Sequence, residues 1–546
     1  MIHYLAVICL HLQTSPFPPV DPKELKAALA KGWKLKESTD DDSGVFRRFY
    51  VATKDGQEQI QGVYHSWFKS GKPRTIAFYR DGARQGKGTW WHETGKKWRE
   101  GTYKDDKFDG IWTIWDDEGR KIQTTRYRDD MPDGPSQFWS SDGKVTAAGT
   151  YKMGVPEGNW TISEHEKSHR YSFRDGAVQT PSEPSVMAAI APPPMTFPAG
   201  ADHLNIEVDP RTELLAVVQN FTSWETSGAF STVDEPYKRD IVRWFSPYKD
   251  HPAVKLYESI LDGGTNFAFD GPVNWILHLG SPPDLAVMSP IPEGIVRRGG
   301  GAEKIENLRK SLVQFAKDSH FEEFFRAHRS FYDELIKNYR TNSPGDPALR
   351  LVMEHYGEVK QSGTAVICPM FGPGNYGIIV QEPTGPKIFN VGAPSYENGK
   401  FAYDPNVLQS MIYHEFGHSF SNPAVDANQA WGTKGDSLFP IVKSVMAQQA
   451  YGDWKSVVYE LFDRTNEIHL VSLGGNPKWA RQLLSYYIYY RGFCWLPYTL
   501  RKLIQYESNR TKYPTFKSFA GEMAKVFDET RPIVINGTIV CVVPLE

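Results

Sequence analysis

Cysteine is scarce in this sequence of 546 residues. Cys9, Cys368, Cys494 and Cys541 are too few and too scattered for a disulfide framework, although one bridge stays open to them. No Cys-x-x-Cys pair is present, which removes the usual thiolate metal sites. No apolar run reaches the roughly 18 residues needed to span a bilayer, so a soluble body without a transmembrane segment is expected. Charge of one sign is also lacking. Sixty-two basic residues face 65 acidic ones, a net charge of -3, which gives no electrostatic reason to expect nucleic acid or an anionic membrane as partner. The opening MIHYLAVICLHLQTSPFPP carries a short apolar run from Tyr4 to Leu12 but no basic n-region. Residues 1–21 therefore resemble a brief export signal and point to a secreted or periplasmic protein. An ordinary N-terminal strand in a cytoplasmic protein is the alternative.

What is present is length, and a hydrophobic content of 40% with 13% aromatics. That exceeds what one core usually organises and predicts two or more folded domains. Residues 22–61 open with an amphipathic stretch (Leu25, Ala28, Leu29) and pass into GVFRRFYVA, which alternates like a strand. The following region repeats. Gly62, Gly86, Gly110, Gly134 and Gly158 recur every 24 residues, as do Trp67, Trp91, Trp115 and Trp139, and Tyr79, Tyr103, Tyr127 and Tyr151. A second glycine set, Gly71, Gly95, Gly119 and Gly143, follows each tryptophan by four residues. Acidic or polar residues before these glycines suit positive-φ turns, so each unit reads as strand, tight turn, strand. The fifth unit lacks the second glycine and is shorter, as a terminal repeat would be. One hairpin cannot bury its aromatic face, so neighbours side by side should form a meander with a Trp/Tyr ladder as its core. A surface for a protein or glycan partner is the second reading of that ladder.

The phrases WHETGKKW, WDDEGRK and WSSDGKV resemble MORN-type repeats over residues 62–177. Proline density in residues 178–200 then marks a semi-extended linker. From 201 to 546 the pattern turns helical: LLAVVQNF, the stretch from Lys304 to Arg340, and the run from Gln482 to Glu507. Strand-like pieces intervene at Thr364–Cys368, Tyr376–Val380 and Lys387–Val391. The expected fold is multidomain α+β: an all-β hairpin-repeat meander, then a mainly helical domain with a small sheet.

The chemistry lies in YDPNVLQSMIYHEFGHSFSNP. Asp404 and Pro405 suit an N-cap and first helical position, and Ser421-Asn422-Pro423 should end the helix. His414 and His418, four apart, project from one face and can give two imidazole nitrogens to one metal ion. Glu415 is placed to act as general base on a water activated by that metal, the chemistry of a Zn2+ hydrolase. By chance an HExxH pattern arises in roughly 0.03 chains of this composition, so the match is informative without being conclusive. Two structural histidines on a core helix are the bland alternative.

Catalytic zinc takes a third protein ligand. The sequence DWKSVVYELFDRTNEIHLVSL offers Glu460, Asp463, Glu467 and His469. Glu460 shares a stripe with Val457, Leu461, Arg464 and Ile468, where an unpaired carboxylate is costly to bury, and is the choice. An i,i+4 ion pair with Arg464 is its plain reading, and Arg464 could equally orient a ligating Glu460.

HEFGHSFSNP with the later YELFDR resembles an uncharacterised bacterial family of gluzincin-like metallopeptidases, the domain of unknown function 4932. The likeness runs from residue 203 to about 540 and includes IEVDPRTELLAVVQNF, KDHPAVKLY, FRAHRSFYDE and YESNRTKYPTF. It implies a zincin-like domain in which His414, His418 and Glu460 hold zinc and Glu415 is the base. A peptide or protein substrate would then add as a strand along a sheet edge, with NYGIIV (375–380) and KIFNV (387–391) as candidate edges. The loop MFGPGNYG could flank the cleft or be a plain turn. No oxyanion-stabilising residue stands out, and the cluster Tyr486, Tyr487, Tyr489 and Tyr490 reads as core. The expectation is thus a zinc metallopeptidase with the repeats as docking module. The alternatives are a non-catalytic binding or scaffold protein, or a zinc hydrolase of another amide or ester.

Overall fold

The computed structural model describes residues 17–54, 56–164, 167–180, 184–226, 231, 234–264, 266–372 and 374–545. Most of the expected export segment, with Cys9, lies outside the described residues, as do residues 181–183 of the linker and Pro373 of the loop MFGPGNYG. The chain divides into two units. One comprises Met1–Val186, Ser485–Pro497 and Glu529–Glu546, and the other Met187–Leu484 and Tyr498–Asp528. Two segments expected in the C-terminal domain, 485–497 and 529–546, therefore belong with the repeats. The last fourteen residues expected in the linker, 187–200, belong to the helical unit, where the Met195 N–H is bonded to Glu354 Oε1 at 3.3 Å.

The first unit opens with a helix, Pro22–Ala30, capped by Asp21. It then forms an antiparallel meander whose strands pair with their sequence neighbours, fourteen of them among the described residues. The turns follow the expected chemistry. Asp105–Asp106 and Asp129–Asp130 hold positive φ at both residues (51° and 66°; 49° and 69°), the pattern of mirror-image hairpin turns, while Gly71, Gly95, Gly119 and Gly143 take φ of 78° to 90°. The aromatic series divide differently from expectation. Tyr103, Tyr127 and Tyr151 are buried, but Trp91, Trp115 and Trp139 are only half-buried, and the buried indoles include Trp90, Trp112 and Trp160. Successive strand residues face opposite sides, so at Trp90 and Phe138 the residue before the periodic tryptophan faces the core, whereas Trp67 of the same series is itself buried. The Trp112 and Trp160 rings lie flat against Gly101 and Gly149, where a Cβ would meet ring carbons at 2.2 and 2.0 Å. A hairpin of Thr530–Ile535 and Thr538–Pro544 completes this core: Ile533, Val540, Cys541 and Val543 pack with Phe138, Trp160 and Ile162. Tyr151 donates its hydroxyl to Val540 O at 2.8 Å, and Arg531 forks onto Glu164 at 2.8 and 2.6 Å.

The second unit is mainly helical with a four-stranded sheet in the order Leu204–Glu207, Ser362–Ile367, Gly385–Gly392, Tyr376–Glu382. The first three run parallel and the last antiparallel. Of the two expected edges, Tyr376–Glu382 is one. Gly385–Gly392, which contains Lys387–Val391, is central because it is paired on both sides. The helical stretch from Lys304 to Arg340 breaks into Ala302–Asp318, Phe321–Ala327 and Arg329–Asn342. The run from Gln482 to Glu507 breaks into Pro477–Tyr489 and Leu496–Ser508, with Gly492 at φ 75° between them. The tyrosine cluster at 486–490 falls in the first unit. Cys368, Cys494 and Cys541 are free, buried thiols. No helix among the described residues is long and apolar enough to cross a membrane.

Glu213, on the helix Pro210–Gln219, is fully buried; it accepts from the Tyr237 hydroxyl and, at 3.2 Å, from the Cys368 thiol. Burial pushes its carboxyl up to about 7, with Asp209 and Glu235 adding to the rise. A folded-state value above the unfolded one makes the protonated form the stable one. Its contribution is complete below about pH 4.5 and is lost as pH rises through about 7. Glu213→Gln should therefore gain on the wild type over that window by on the order of 3 kcal/mol. Denaturant midpoints of both proteins at the two ends of the window measure it; parallel curves would show that Glu213 does not titrate there.

Candidate metal centre

The helix Pro405–Asp426 starts as its sequence dictates: Asp404 accepts from the N–H groups of Asn406 (2.8 Å) and Val407 (3.2 Å), and Pro405 takes the first position. It does not stop at Pro423 as expected. Pro423 sits inside the last turn and removes only its own N–H, while Ala424 and Val425 are buried and Ala427 N closes onto Pro423 O at 3.1 Å. Burial of that last apolar turn outweighs one missing hydrogen bond.

Beside it lies the helix Trp454–Leu473, capped by Asp453 and buried along most of its length. Between the two helices the structure brings together His414, His418, Glu460, Asp463 and Glu467. Glu460 Oε2 is 3.7 Å from His414 Nε2, and Glu460 Oε1 is 3.6 Å from His418 Nε2. The other nitrogens face away from that point. His418 Nδ1 lies 3.3 Å from Asn422 Oδ1, and His414 Nδ1 lies 2.9 Å from Asp463 Oδ2 and 3.2 Å from Glu467 Oε2. The His414–Asp463 contact is close but off the line of a directed hydrogen bond. Glu415 follows His414 and is buried.

Asp463 is itself held in place. Its Oδ1 accepts from Ser421 Oγ at 3.1 Å and from the Tyr356 hydroxyl at 3.5 Å, which turns Oδ2 toward His414. Gly417 makes this possible: a Cβ there would lie 2.3 Å from Asp463 Oδ1 and 3.0 Å from the Tyr356 hydroxyl. A second close approach comes from the edge strand, where a Cβ on Gly377 would lie 2.0 Å from Glu415 O. Two glycines thus let the motif helix touch a carboxylate on one side and the sheet edge on another.

The charges reflect the crowding. Burial raises Glu415 above the ordinary carboxylate value, although both imidazoles oppose the rise. Burial also works against ionised Glu460, but Arg464, both imidazoles and the Tyr451 hydroxyl outweigh it and bring the group down to about 2. Arg464 Nη2 donates to Glu460 Oε2 at 2.8 Å and to the Tyr451 hydroxyl at 3.3 Å, so the expected Arg464–Glu460 pair is present beside the two histidines. For His414 burial disfavours the charged ring, yet Asp463 and Glu467 raise it well above the usual imidazole value. Three buried carboxylates, Glu415, Asp463 and Glu467, and the half-buried Glu460 therefore crowd two imidazoles.

Two imidazole Nε2 atoms and one carboxylate form a donor set of the catalytic-zinc type, and bonds of about 2.0–2.1 Å put tetrahedral ligands about 3.4 Å apart. The Nε2-to-oxygen separations of 3.6 and 3.7 Å fit that spacing to within a few tenths. The surplus of buried negative charge fits a cation as well. Asp463 is the competing third donor, since its Oδ2 is also 3.8 Å from His418 Nε2. It faces Nδ1 of His414, however, the nitrogen that metal-binding histidines commonly give to an orienting carboxylate. His469, the last of the sequence candidates, is elsewhere. Its ring lies 5.4 Å from that of His355, and burial drives it down to about 3. Tyr356 and Ser421 were not legible as site residues; the glycine inside the HExxH motif was the available signal.

The family described as Domain of unknown function (DUF4932) matches residues 204–526, more than half of the chain, and the family described as MORN repeat variant matches residues 84–105. No curated protein matches the chain.

Gly417→Ala should lower the stability of the metal-free protein by about 1–3 kcal/mol, the cost of overpacking a tight interior. Thermal denaturation of both proteins measures it, and an unchanged midpoint would show that Asp463 has room to move.

Proposed function

The chain belongs to the family described as Domain of unknown function (DUF4932), and for this member we propose the activity of a zinc-dependent peptidase with the repeats as its docking module. The observation that carries the reading is that Glu460 faces both imidazoles, its Oε2 3.7 Å from His414 Nε2 and its Oε1 3.6 Å from His418 Nε2, with Glu415 buried next to His414. Zinc bound there supplies a Lewis acid that polarises the scissile carbonyl and lowers the pKa of a coordinated water towards ~7.

The chain's own residues do the rest. Glu415 takes the proton released as water adds to the carbonyl carbon, and passes it to the nitrogen as the C–N bond breaks. Burial favours the protonated form of Glu415 halfway through that cycle, which suits a group that must hold a proton and then release it. Asp463, fixed by Ser421 and Tyr356, sets the His414 ring so that Nε2 and not Nδ1 faces Glu460. Arg464 and Tyr451 hold Glu460 ionised. The edge strand Tyr376–Glu382, whose Gly377 touches Glu415 O, supports an extended peptide as substrate. Exposed Phe78, Trp98 and Ile111 on the repeat sheet support the docking role.

Purified protein is expected to hold one zinc per chain. His414→Ala and Glu460→Ala should lose it, and Asp463→Asn should bind it about 10–100-fold more weakly. Glu415→Gln should keep zinc while losing about 10²–10⁴-fold of peptide cleavage. Metal analysis beside cleavage of a mixed peptide library measures both. Full zinc retention in Glu460→Ala would remove Glu460 as ligand, and wild-type rates in Glu415→Gln would remove the general base.

A further inference from the structure

The tyrosines at 486–490 read as core in the sequence, and the structure divides them. Tyr487 is buried and Tyr489 half-buried, but Tyr486 and Tyr490 are exposed, at 41% and 40%. Tyr489 anchors the segment on the repeat sheet. Its ring packs on the core of Trp90, Tyr103, Trp112 and Tyr127, its hydroxyl is hydrogen-bonded to that of Tyr127, and a Cβ on Gly154 would lie 2.9 Å from its own Cβ. Tyr486 and Tyr490 stand one helical turn apart with ring centroids 5.5 Å from one another, and Tyr489 meets Tyr490 edge-on at 4.8 Å. Three rings in mutual contact, one of them held from beneath, make a rigid platform, and the exposed Met153 lies in the turn that Tyr489 covers.

The neighbouring hairpin turn, Asp129–Asp130, brings negative charge. Burial raises the Tyr490 hydroxyl above the ordinary phenol value, and Asp130, Tyr486 and Asp129 add to the rise. Asp130 uses Oδ1 to accept from the Phe108 N–H at 2.6 Å. Asp129 is exposed and has no ion-pair partner among the described residues. The nearby cations are turned elsewhere. Arg128 pairs with Asp133 at 3.1 Å, Arg491 has its Nε buried, and strand alternation sends both Arg128 and Lys152 to the face opposite Tyr127 and Tyr151. The faces of aromatic rings are negative, and a cation within about 6 Å of a ring centroid is attracted to them. Carboxylates beside exposed rings therefore select a cation. A guanidinium fits better than an ammonium, because its plane stacks on a ring while its fork reaches a carboxylate.

We propose that Tyr486, Tyr490 and the Asp129–Asp130 turn form a docking site for an arginine side chain of a partner polypeptide. The site lies wholly within the repeat unit, goes beyond the peptidase reading and does not depend on it. Met153 offers the methylenes of that arginine an apolar contact beside the rings.

The full chain is titrated, with fluorescence anisotropy as readout, against a labelled peptide of about ten residues built from glycine, serine and several arginines, and against the same peptide with citrulline, which keeps the shape of arginine and loses its charge. At low salt the arginine peptide should bind about tenfold more tightly or better. Tyr490→Ala and Asp129→Asn should each lower that ratio about threefold or more. Asparagine suits the positive φ of 49° at this position, so the hairpin is kept. Asp105→Asn, which removes the same charge from the adjacent hairpin turn, should leave the ratio unchanged. Equal binding of the two peptides by the wild type overturns the site. So does a ratio that Tyr490→Ala leaves intact, or one that Asp105→Asn lowers as far as Asp129→Asn, since diffuse charge would then account for the binding.

Discussion

The approach of two helices at one point, where the carboxylate of Asp463 occupies the space a side chain on residue 417 would fill, governs the rest of the site. With a Cβ there the Asp463 carboxylate would have to leave its place beside the Tyr356 hydroxyl, and with it the contact that sets the His414 ring, whose Nε2 faces Glu460 at 3.7 Å. The phenylalanine just before Gly417 is buried, as are Leu408, Ile412 and Phe420, so the same helix is clamped by its apolar stripe while its polar stripe meets the acids. Rigidity of this kind is what a site with a tolerance of fractions of an ångström needs.

Packing four carboxylates against two imidazoles is expensive in a dry interior, since removing one partner of a buried pair commonly costs 3–5 kcal/mol. The chain meets that cost by dividing labour. Glu460 is held by Arg464 and Tyr451, Asp463 by Ser421 and Tyr356, and Glu415 is left with burial as its dominant influence. Three acids within one small volume thus have three different electrostatic lives, which is how neighbouring carboxylates come to play different chemical parts.

Much of this was legible from the residues in order, and the illegible parts share a cause. The 24-residue period announced the hairpins and their turns, but a period of even length cannot say which of two adjacent aromatics faces inward, and Trp90 rather than Trp91 does. The motif helix was visible from Asp404 and Pro405, whereas its end was not, because tertiary burial of Ala424 and Val425 overrode Pro423. Glu460 stood out as a carboxylate on an apolar stripe. Tyr356 did not, since it reaches Asp463 across 107 positions and no local pattern records such a contact. Helical spacing around 485–497 was equally silent on which of two cores that segment would join.

The hairpin at Thr530–Pro544 carries a temporal consequence. Tyr151 and Val540, bonded at 2.8 Å, stand 389 positions apart, and every residue of the helical unit is synthesised between them. Repeat arrays ordinarily nucleate and close as they are made. Here the nascent sheet keeps Phe138, Trp160 and Ile162 without Ile533, Val540 and Val543 until the helical unit has been made, so an apolar face stays exposed to wrong partners throughout that interval.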